Sequence, residues 1–148
     1  MKKPSKDSPQ PKWINIEDFE FICFNLTRKF LELSEPIPDY STRENSLLES
    51  SLAAPRQAFE YSGATIERQA SILFYSLIKN HPFKNGNKRI AVISLLIFLL
   101  LNNKWLEIPT LILYKIALSV AESEAPKREN VLKEIDKMLR KYIVDVKS

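Results

Sequence analysis

Glycine, histidine and cysteine are scarce: the 148-residue chain contains two glycines, one histidine and one cysteine. Two glycines are too few for a sheet-rich fold with many tight turns, so the composition favours helices. The single cysteine, Cys23, excludes an internal disulfide and fits a reducing compartment. It lies on an apolar helix face, so we expect it to be buried and to have no chemistry of its own.

Long hydrophobic runs are absent as well. The longest, residues 90–101, has 12 residues, whereas a membrane-spanning helix needs about 20. The N-terminus contains lysines and prolines but not the apolar segment of a secretory signal. We therefore expect a cytoplasmic protein that does not enter a membrane. The net charge of +4 matches the lysines of the first twelve residues, so nucleic-acid binding is not favoured.

A single domain, residues 13–148, is predicted behind a disordered basic tail, residues 1–12. Apolar residues recur at helical spacing in several segments, and prolines punctuate the chain between them. These segments are residues 16–33, 66–80, 90–102, 110–122 and 126–146. The predicted fold class is all-α: a helical bundle wrapped around the unusually apolar helix that begins near residue 90.

Residues 44–63 are predicted to contain a short helix followed by an extended flap. The helix, residues 44–53, should end before Pro55 because proline interrupts helical hydrogen bonding. After it, polar and aromatic residues alternate up to Gly63 without a helical period. The flap could form one small β-hairpin in an otherwise helical protein.

The only histidine opens a nine-residue run directly before the apolar helix: His81-Pro82-Phe83-Lys84-Asn85-Gly86-Asn87-Lys88-Arg89. A helix N-terminus carries partial positive charge and unsatisfied N–H groups, so two cations in its first turn are unfavourable without an anion. Backbone amides around the glycine could bind that anion, since glycine permits a left-handed turn and close approach. Histidine is suited to accept a proton from an attacking hydroxyl.

Each of these features also has an ordinary structural explanation. A lone histidine before proline is commonly a turn residue, glycine followed by asparagine is a common turn, and Lys88 and Arg89 could be solvated. Their combination between two apolar helices favours an anion site. Phe83, an aromatic residue in a polar loop, is predicted instead to anchor the loop to the core.

The run from His81 to Arg89 resembles the signature loop of the Fic/Doc family, and specifically that of death-on-curing (Doc) toxins. Their pattern is His-x-Phe-x-Asp/Asn-Gly/Ala-Asn-Lys-Arg. The flanking segments are similar too, so the resemblance covers roughly residues 15–145. It implies the Fic-type helical fold and a nucleotide-dependent modification of a protein hydroxyl.

The resemblance leaves a choice of reaction. Fic proteins usually transfer AMP from ATP to Ser, Thr or Tyr, whereas Doc-type toxins transfer the γ-phosphate to a translation elongation factor. AMP-transferring members have glycine and a phosphate-gripping arginine at the positions of Lys88 and Val92, and both departures favour phosphate transfer. We interpret the chain as a kinase-like toxin of a toxin–antitoxin pair. An AMP transferase and a catalytically silent binding module of the same fold are the alternatives.

Site residues follow from the resemblance, position by position. His81 would be the general base, and Lys88 and Arg89 would stabilise charge on the transferred group. The nucleotide- and phosphate-binding residues would be Lys84, Gly86, Asn87, Lys88 and Arg89. The target protein would add a strand to the flap, at residues Gln57, Ala58, Phe59, Glu60 and Tyr61.

ATP as substrate and Mg²⁺ are the small molecules that the resemblance implies. Asn85 is the position that would contact the metal. Many members have an acidic residue there, and the neutral oxygen of Asn85 is a weaker ligand for Mg²⁺, which would rest mainly on the nucleotide phosphates. Fic proteins are restrained by a helix with the pattern Ser/Thr-x-x-x-Glu-Gly/Asn. Glu44 and Glu129 precede asparagine but lack Ser or Thr at the required spacing. We therefore expect a separate antitoxin to supply the inhibitory helix.

Overall fold

Helices form almost all of the secondary structure in residues 10–29 and 37–146, which are the residues that the computed structural model describes. The α-helices are α1 (Ile16–Phe19), α2 (Asn25–Lys29), α3 (Asn45–Ser62), α4 (Ile66–Lys79), α5 (Asn87–Leu101), α6 (Thr110–Glu122) and α7 (Arg128–Tyr142). A π-helical turn (Glu20–Phe24) joins α1 to α2, and 3₁₀ turns (Tyr40–Thr42 and Ala125–Lys127) precede α3 and α7. The short strands β1 (Lys104–Leu106) and β2 (Ile143–Asp145) pair antiparallel. The all-α class predicted from the sequence is confirmed.

Helix α5 is the central apolar helix expected from the sequence. Its side chains are buried on nearly every face, and α4, α6 and β1 pack around it. A helix that is apolar all round is stable in water only where its neighbours cover it. In the described part of the chain, no helix is long and apolar enough to cross a membrane.

Helix α4 lies against α3, α5 and α7 and leads the chain into the nine-residue run. Thr65 is its N-cap residue, and Thr65 Oγ1 accepts a hydrogen bond from the Arg68 N–H at 3.1 Å. The helix ends at Lys79, close to the predicted end. His81 cannot continue it easily, since a residue before proline is pushed out of helical geometry.

The first helical segment differs from the single helix predicted over residues 16–33. Its described part contains the π-helical turn, and residues 30–33 lie outside the described residues. Asn15 precedes α1, but its side chain makes no capping hydrogen bond. Cys23 lies in the turn and is fully buried, and this burial raises the pKa of its thiol to about 12. Such a thiol is not nucleophilic, in agreement with the packing role expected of it.

The extended flap predicted at residues 55–63 is wrong, and so is the helix end predicted before Pro55. Helix α3 continues through Pro55 as far as Ser62, and it packs against α4. Its buried residues follow helical spacing: Leu48, Ser51, Leu52, Pro55 and Phe59. Burying this face outweighs the one hydrogen bond that proline cannot make. Gly63 is the left-handed C-cap of the helix, with φ 64°, rather than the end of a hairpin.

The C-terminal helix ends earlier than its apolar stripe predicts. Helix α7 stops at Tyr142, so Ile143 and Val146 of the predicted stripe lie beyond it. Ile143 begins β2, and Val144 pairs with Trp105 of β1. The small two-stranded sheet is therefore located here and not at the predicted flap.

The boundary between the predicted tail and the domain is tied to the far end of α5. Lys12 donates its N–H to Asn102 Oδ1 and accepts from Asn102 Nδ2 through its C=O, both at 2.9 Å. Residues 1–9 of the predicted tail lie outside the described residues.

Candidate active site

The loop between α4 and α5 contains the nine-residue run and bends through two left-handed residues. His81 has φ 53° and Gly86 has φ 77°. Glycine is favoured at the second position, because its left-handed φ strains other residues and a Cβ there would lie 2.6 Å from Cδ1 of Ile37, which would have to move. The conformation of His81 costs of the order of 1 kcal/mol or more, and such strain persists where surrounding contacts hold it.

The start of α5 has the electrostatic character of an anion site. Gly86 is its N-cap residue and provides no side chain to the first turn, which contains no acidic residue. Lys88 and Arg89 lie in that turn, where they add to the positive end of the helix dipole. An anion bound there would relieve this repulsion and accept from backbone N–H groups.

Phe83 anchors the loop to the core, as the sequence predicts. Its side chain is 3% exposed. Its ring centroid lies 5.3 Å from that of Phe24, 6.0 Å from that of Tyr40 and 6.1 Å from that of Phe19. The loop is therefore held by an aromatic cluster that includes a residue from the π-helical turn and one from the 3₁₀ turn before α3.

Asn87 organises the polar side of the loop with a buried side chain, 2% exposed. Its Oδ1 accepts from the Phe83 N–H at 3.0 Å, and its Nδ2 donates to the Phe83 C=O at 2.7 Å. The same Nδ2 lies 2.7 Å from Nδ1 of His81. One amide thus links the first helical residue of α5 to both the aromatic anchor and the histidine.

Two further contacts fix the entrance of the loop. The Glu44 N–H donates to the Pro82 C=O at 2.8 Å, joining the N-cap of α3 to the loop. At the end of α4, Asn80 Nδ2 donates to Ser51 Oγ at 2.8 Å. Sequence reasoning missed these contacts and the packing of Ile37 over Gly86, because none of the contributing segments shows a local signal for them.

The other residues predicted for the loop differ in their exposure. Lys84 and Asn85 are exposed, Lys88 is half-buried, and Arg89 is 4% exposed. His81 is exposed, so its ring is accessible from solvent although Nδ1 contacts Asn87. The structure therefore brings His81 into contact with Asn87, and it places Gly86, Lys88 and Arg89 at the start of the same helix.

The residues predicted for target docking lie on α3 and have no strand edge. They are Gln57, Ala58, Phe59, Glu60 and Tyr61, all of them helical. Tyr61 is 79% exposed, whereas Phe59 is buried and its ring lies 5.7 Å from that of Trp13. Strand addition at this segment has no structural basis, because the backbone groups are paired within the helix.

A magnesium site formed by the protein alone is not supported. The described residues contain no cluster of three or more His, Cys, Asp or Glu side chains that could hold a metal ion. The nine-residue run has no carboxylate, and Asn85 contributes a neutral oxygen from an exposed position. Magnesium in nucleotide sites is usually held by one or two carboxylates together with phosphates. The residues present do not fit a resident Mg²⁺.

An apolar groove lies elsewhere on the molecule, and none of its residues belongs to the loop. It is lined by Phe21, Ile22, Leu26, Ile97, Leu100 and Leu101, with Arg28 and Lys29 at its rim. It contains no nucleophile or general base.

Comparison with protein families gives a match to the model of the Fic/DOC family over residues 13–99, which include the whole nine-residue run. Comparison with curated proteins and with solved structures gives no match. Fic-type enzymes generally transfer nucleotide moieties to proteins, use ATP, and generally require Mg²⁺. Proteins of the family commonly pair with antitoxins. Because more than half of this chain matches, with its candidate active site inside the matched region, the chain belongs to the Fic/DOC family.

Proposed function

We propose that this protein is the toxin of a toxin–antitoxin pair, and that it transfers the γ-phosphate of ATP to a Ser or Thr hydroxyl of a translation elongation factor. The observation that carries the proposal is the start of α5, where a left-handed glycine is followed by two cations in the first turn and His81 contacts the first helical residue. A helix start of this kind favours phosphate, and a neighbouring histidine provides a base for the accepting hydroxyl.

The proposed step is a single displacement at phosphorus. The target hydroxyl oxygen forms a bond to the γ-phosphorus while the bond to the β,γ-bridging oxygen breaks, and ADP leaves with that electron pair. His81 accepts the hydroxyl proton. Lys84, Lys88 and Arg89 offset the charge on the phosphoryl oxygens, which is the main contribution a protein makes to phosphoryl transfer.

Two positions on α5 support phosphate transfer over AMP transfer. Lys88 stands where AMP-transferring members of the family have glycine. Val92 stands where they have the arginine that grips the terminal phosphate, and this valine is fully buried. Position 92 therefore offers no cation to hold a β,γ-diphosphate as the leaving group.

Inhibition by a separate antitoxin is part of the proposal. Of the two Glu-Asn pairs in the sequence, Glu129 lies in α7 and pairs with Arg68 at 3.1 Å. Glu44 is the exposed N-cap residue of α3. Neither belongs to the pattern of the inhibitory helix, so the restraint would come from another chain.

Contact with the target near Tyr61 would have to use the exposed face of α3.

The test is phosphate transfer from ATP labelled at either the α- or the γ-phosphate, with a purified elongation factor and then a whole lysate as acceptors. We expect label from γ only, and we expect His81→Ala to reduce it about 10²–10⁴-fold, the usual contribution of general base catalysis. Thr65→Ala is the matched control, because it changes the cap of α4 and leaves the loop intact.

The other outcomes separate the alternatives. Label transferred from the α-phosphate, dependent on His81, would make this protein an AMP transferase. No His81-dependent label from either position would leave a binding module, a result consistent with the neutral Asn85. Growth arrest on expression, relieved by His81→Ala, would add support for the toxin role.

A further inference from the structure

The hydrogen bonds of Asn87 determine which nitrogen of His81 carries a proton. The orientation of the Asn87 amide is set by Phe83, whose N–H faces Oδ1 at 3.0 Å and whose C=O faces Nδ2 at 2.7 Å. Turning the amide over would oppose two donors and two acceptors at once, in a side chain that is 2% exposed. The atom facing His81 is therefore the nitrogen.

An amide nitrogen can only donate, so the ring atom opposite it must accept. Nδ1 of His81 lies 2.7 Å from Asn87 Nδ2, which has one hydrogen for the Phe83 C=O and a second for the ring. Nδ1 is therefore unprotonated, and a neutral ring carries its proton on Nε2. A hydrogen bond made by one ring nitrogen commonly sets the state of the other in this way.

We propose that Asn87 is a positioning residue that holds His81 as the Nε2–H tautomer, with the basic nitrogen covered by its amide. This inference rests on the proposed role of His81 as the base. Nε2 can only donate in this tautomer, so a target hydroxyl can give its proton only to Nδ1. The contact between Asn87 Nδ2 and His81 Nδ1 must therefore open before transfer.

The tautomer can be read directly by NMR, because His81 is the only histidine in the chain. The protein is labelled with ¹⁵N in the histidine ring and the asparagine side chains, without nucleotide. The spectrum is recorded at about pH 9, where an ordinary histidine is neutral. We expect a protonated Nε2, an unprotonated Nδ1, and a scalar coupling across the hydrogen bond between Nδ1 and one asparagine side-chain nitrogen. A protonated Nδ1, or a ring that averages between tautomers without this coupling, would overturn the proposal.

Two substitutions distinguish positioning from simple structural support. Asn87→Asp replaces the donor with a carboxylate oxygen, so we expect the ring proton to move to Nδ1. Asn85→Asp adds the same charge two residues away, where the side chain is exposed, and should leave the proton on Nε2. An unchanged tautomer in a folded Asn87→Asp protein would contradict the proposal. If that variant does not fold, the proposal stands or falls on the scalar coupling between His81 Nδ1 and the asparagine side-chain nitrogen in the wild-type protein.

These measurements involve neither ATP nor a target, so they are independent of the transfer assay. A protein with the expected coupling but no His81-dependent transfer would retain the inference about Asn87 and lose the proposed function. A protein that transfers phosphate but has a protonated Nδ1 would retain the function and lose the inference.

Discussion

Helices α4 and α5 follow one another in the chain and pack together, yet they begin in opposite ways. At the start of α4, Thr65 accepts from the Arg68 N–H, and Glu67 adds a favourable negative charge in the first turn. At the start of α5, Gly86 has no side chain to accept, and the first turn has Lys88 in place of an acid. Glu67 and Lys88 are each the second residue of their helix, and both are half-buried.

The difference lies in the groups that each start presents in its first turn: an acceptor and an acid at α4, and cations at α5. Thr65 and Glu67 provide the acceptor and the negative charge that a helix N-terminus requires. At α5 the N-cap residue makes no side-chain capping hydrogen bond and the first turn contains no acidic residue. Helices α3 and α6 share these two features, so the cations in its first turn are what distinguish α5. What remains is the glycine turn, the histidine and the cations, the combination that a phosphate group would complete.

The largest loss of stability is expected from a substitution of Gly86, the N-cap residue of α5. Gly86→Ala should lower the free energy of unfolding by about 1–2 kcal/mol through the left-handed φ alone, and by more if Ile37 cannot move away. Gly63→Ala at the end of α3 is the matched control, since its φ of 64° is similar. Urea denaturation of both variants measures the difference. A smaller loss at position 86 than at position 63 would contradict the close contact with Ile37.

The next largest loss of stability is expected from a substitution of Thr65, the N-cap residue of α4. Thr65→Ala removes the acceptor for the Arg68 N–H and should lower the free energy of unfolding by about 1 kcal/mol. Thr65→Ser keeps the hydroxyl and should cost much less. Equal losses in the two variants would show that the methyl group of Thr65, rather than its capping oxygen, stabilises the start of α4.

The smallest change in stability is expected from reversing the charge of the second residue in each of the two helices. In low salt and without nucleotide, Lys88→Glu should raise the free energy of unfolding by about 0.3–1 kcal/mol, and Glu67→Lys should lower it by a similar amount. Added ATP should stabilise the wild-type protein and have less effect on Lys88→Glu, because the anion site has lost a cation. Equal stabilisation of both proteins by ATP would mean that the nucleotide does not bind at the start of α5.

Periodicity in the sequence was sufficient to predict the helices whose burial follows a regular pattern. The bounds of α4 and α6 agree with the prediction to within one residue, and α5 begins three residues before its predicted start. It failed at α3, because Pro55 normally ends a helix and the aromatic alternation after it imitates a strand. The signal for a longer helix was present in the spacing of Leu48, Leu52 and Phe59 and in the glycine that follows Ser62.

Other features depend on contacts that no local pattern contains. β2 exists because residues 143–145 find a partner at residues 104–106, whereas their own apolar character continues the stripe of α7. At the candidate site, the sequence identified the loop residues and the anchoring role of Phe83. It could not predict that Asn87 bonds to Phe83 and His81, since those bonds depend on the exact path of the loop backbone.

The ends of the described chain meet at the C-terminal end of α5, and this has a consequence for the order of folding. Lys12 bonds to Asn102, 90 residues away, and β1 immediately after it pairs with β2 near the C-terminus. Joining segments so distant in sequence costs loop-closure entropy that must be spent before the contacts form, so we expect these links to close late in folding. A substitution at Asn102 should therefore accelerate unfolding and leave the folding rate nearly unchanged. We therefore expect the contacts at this end of α5, between Lys12 and Asn102 and between β1 and β2, to determine the lifetime of the native state. The opposite end of the same helix carries the candidate active site.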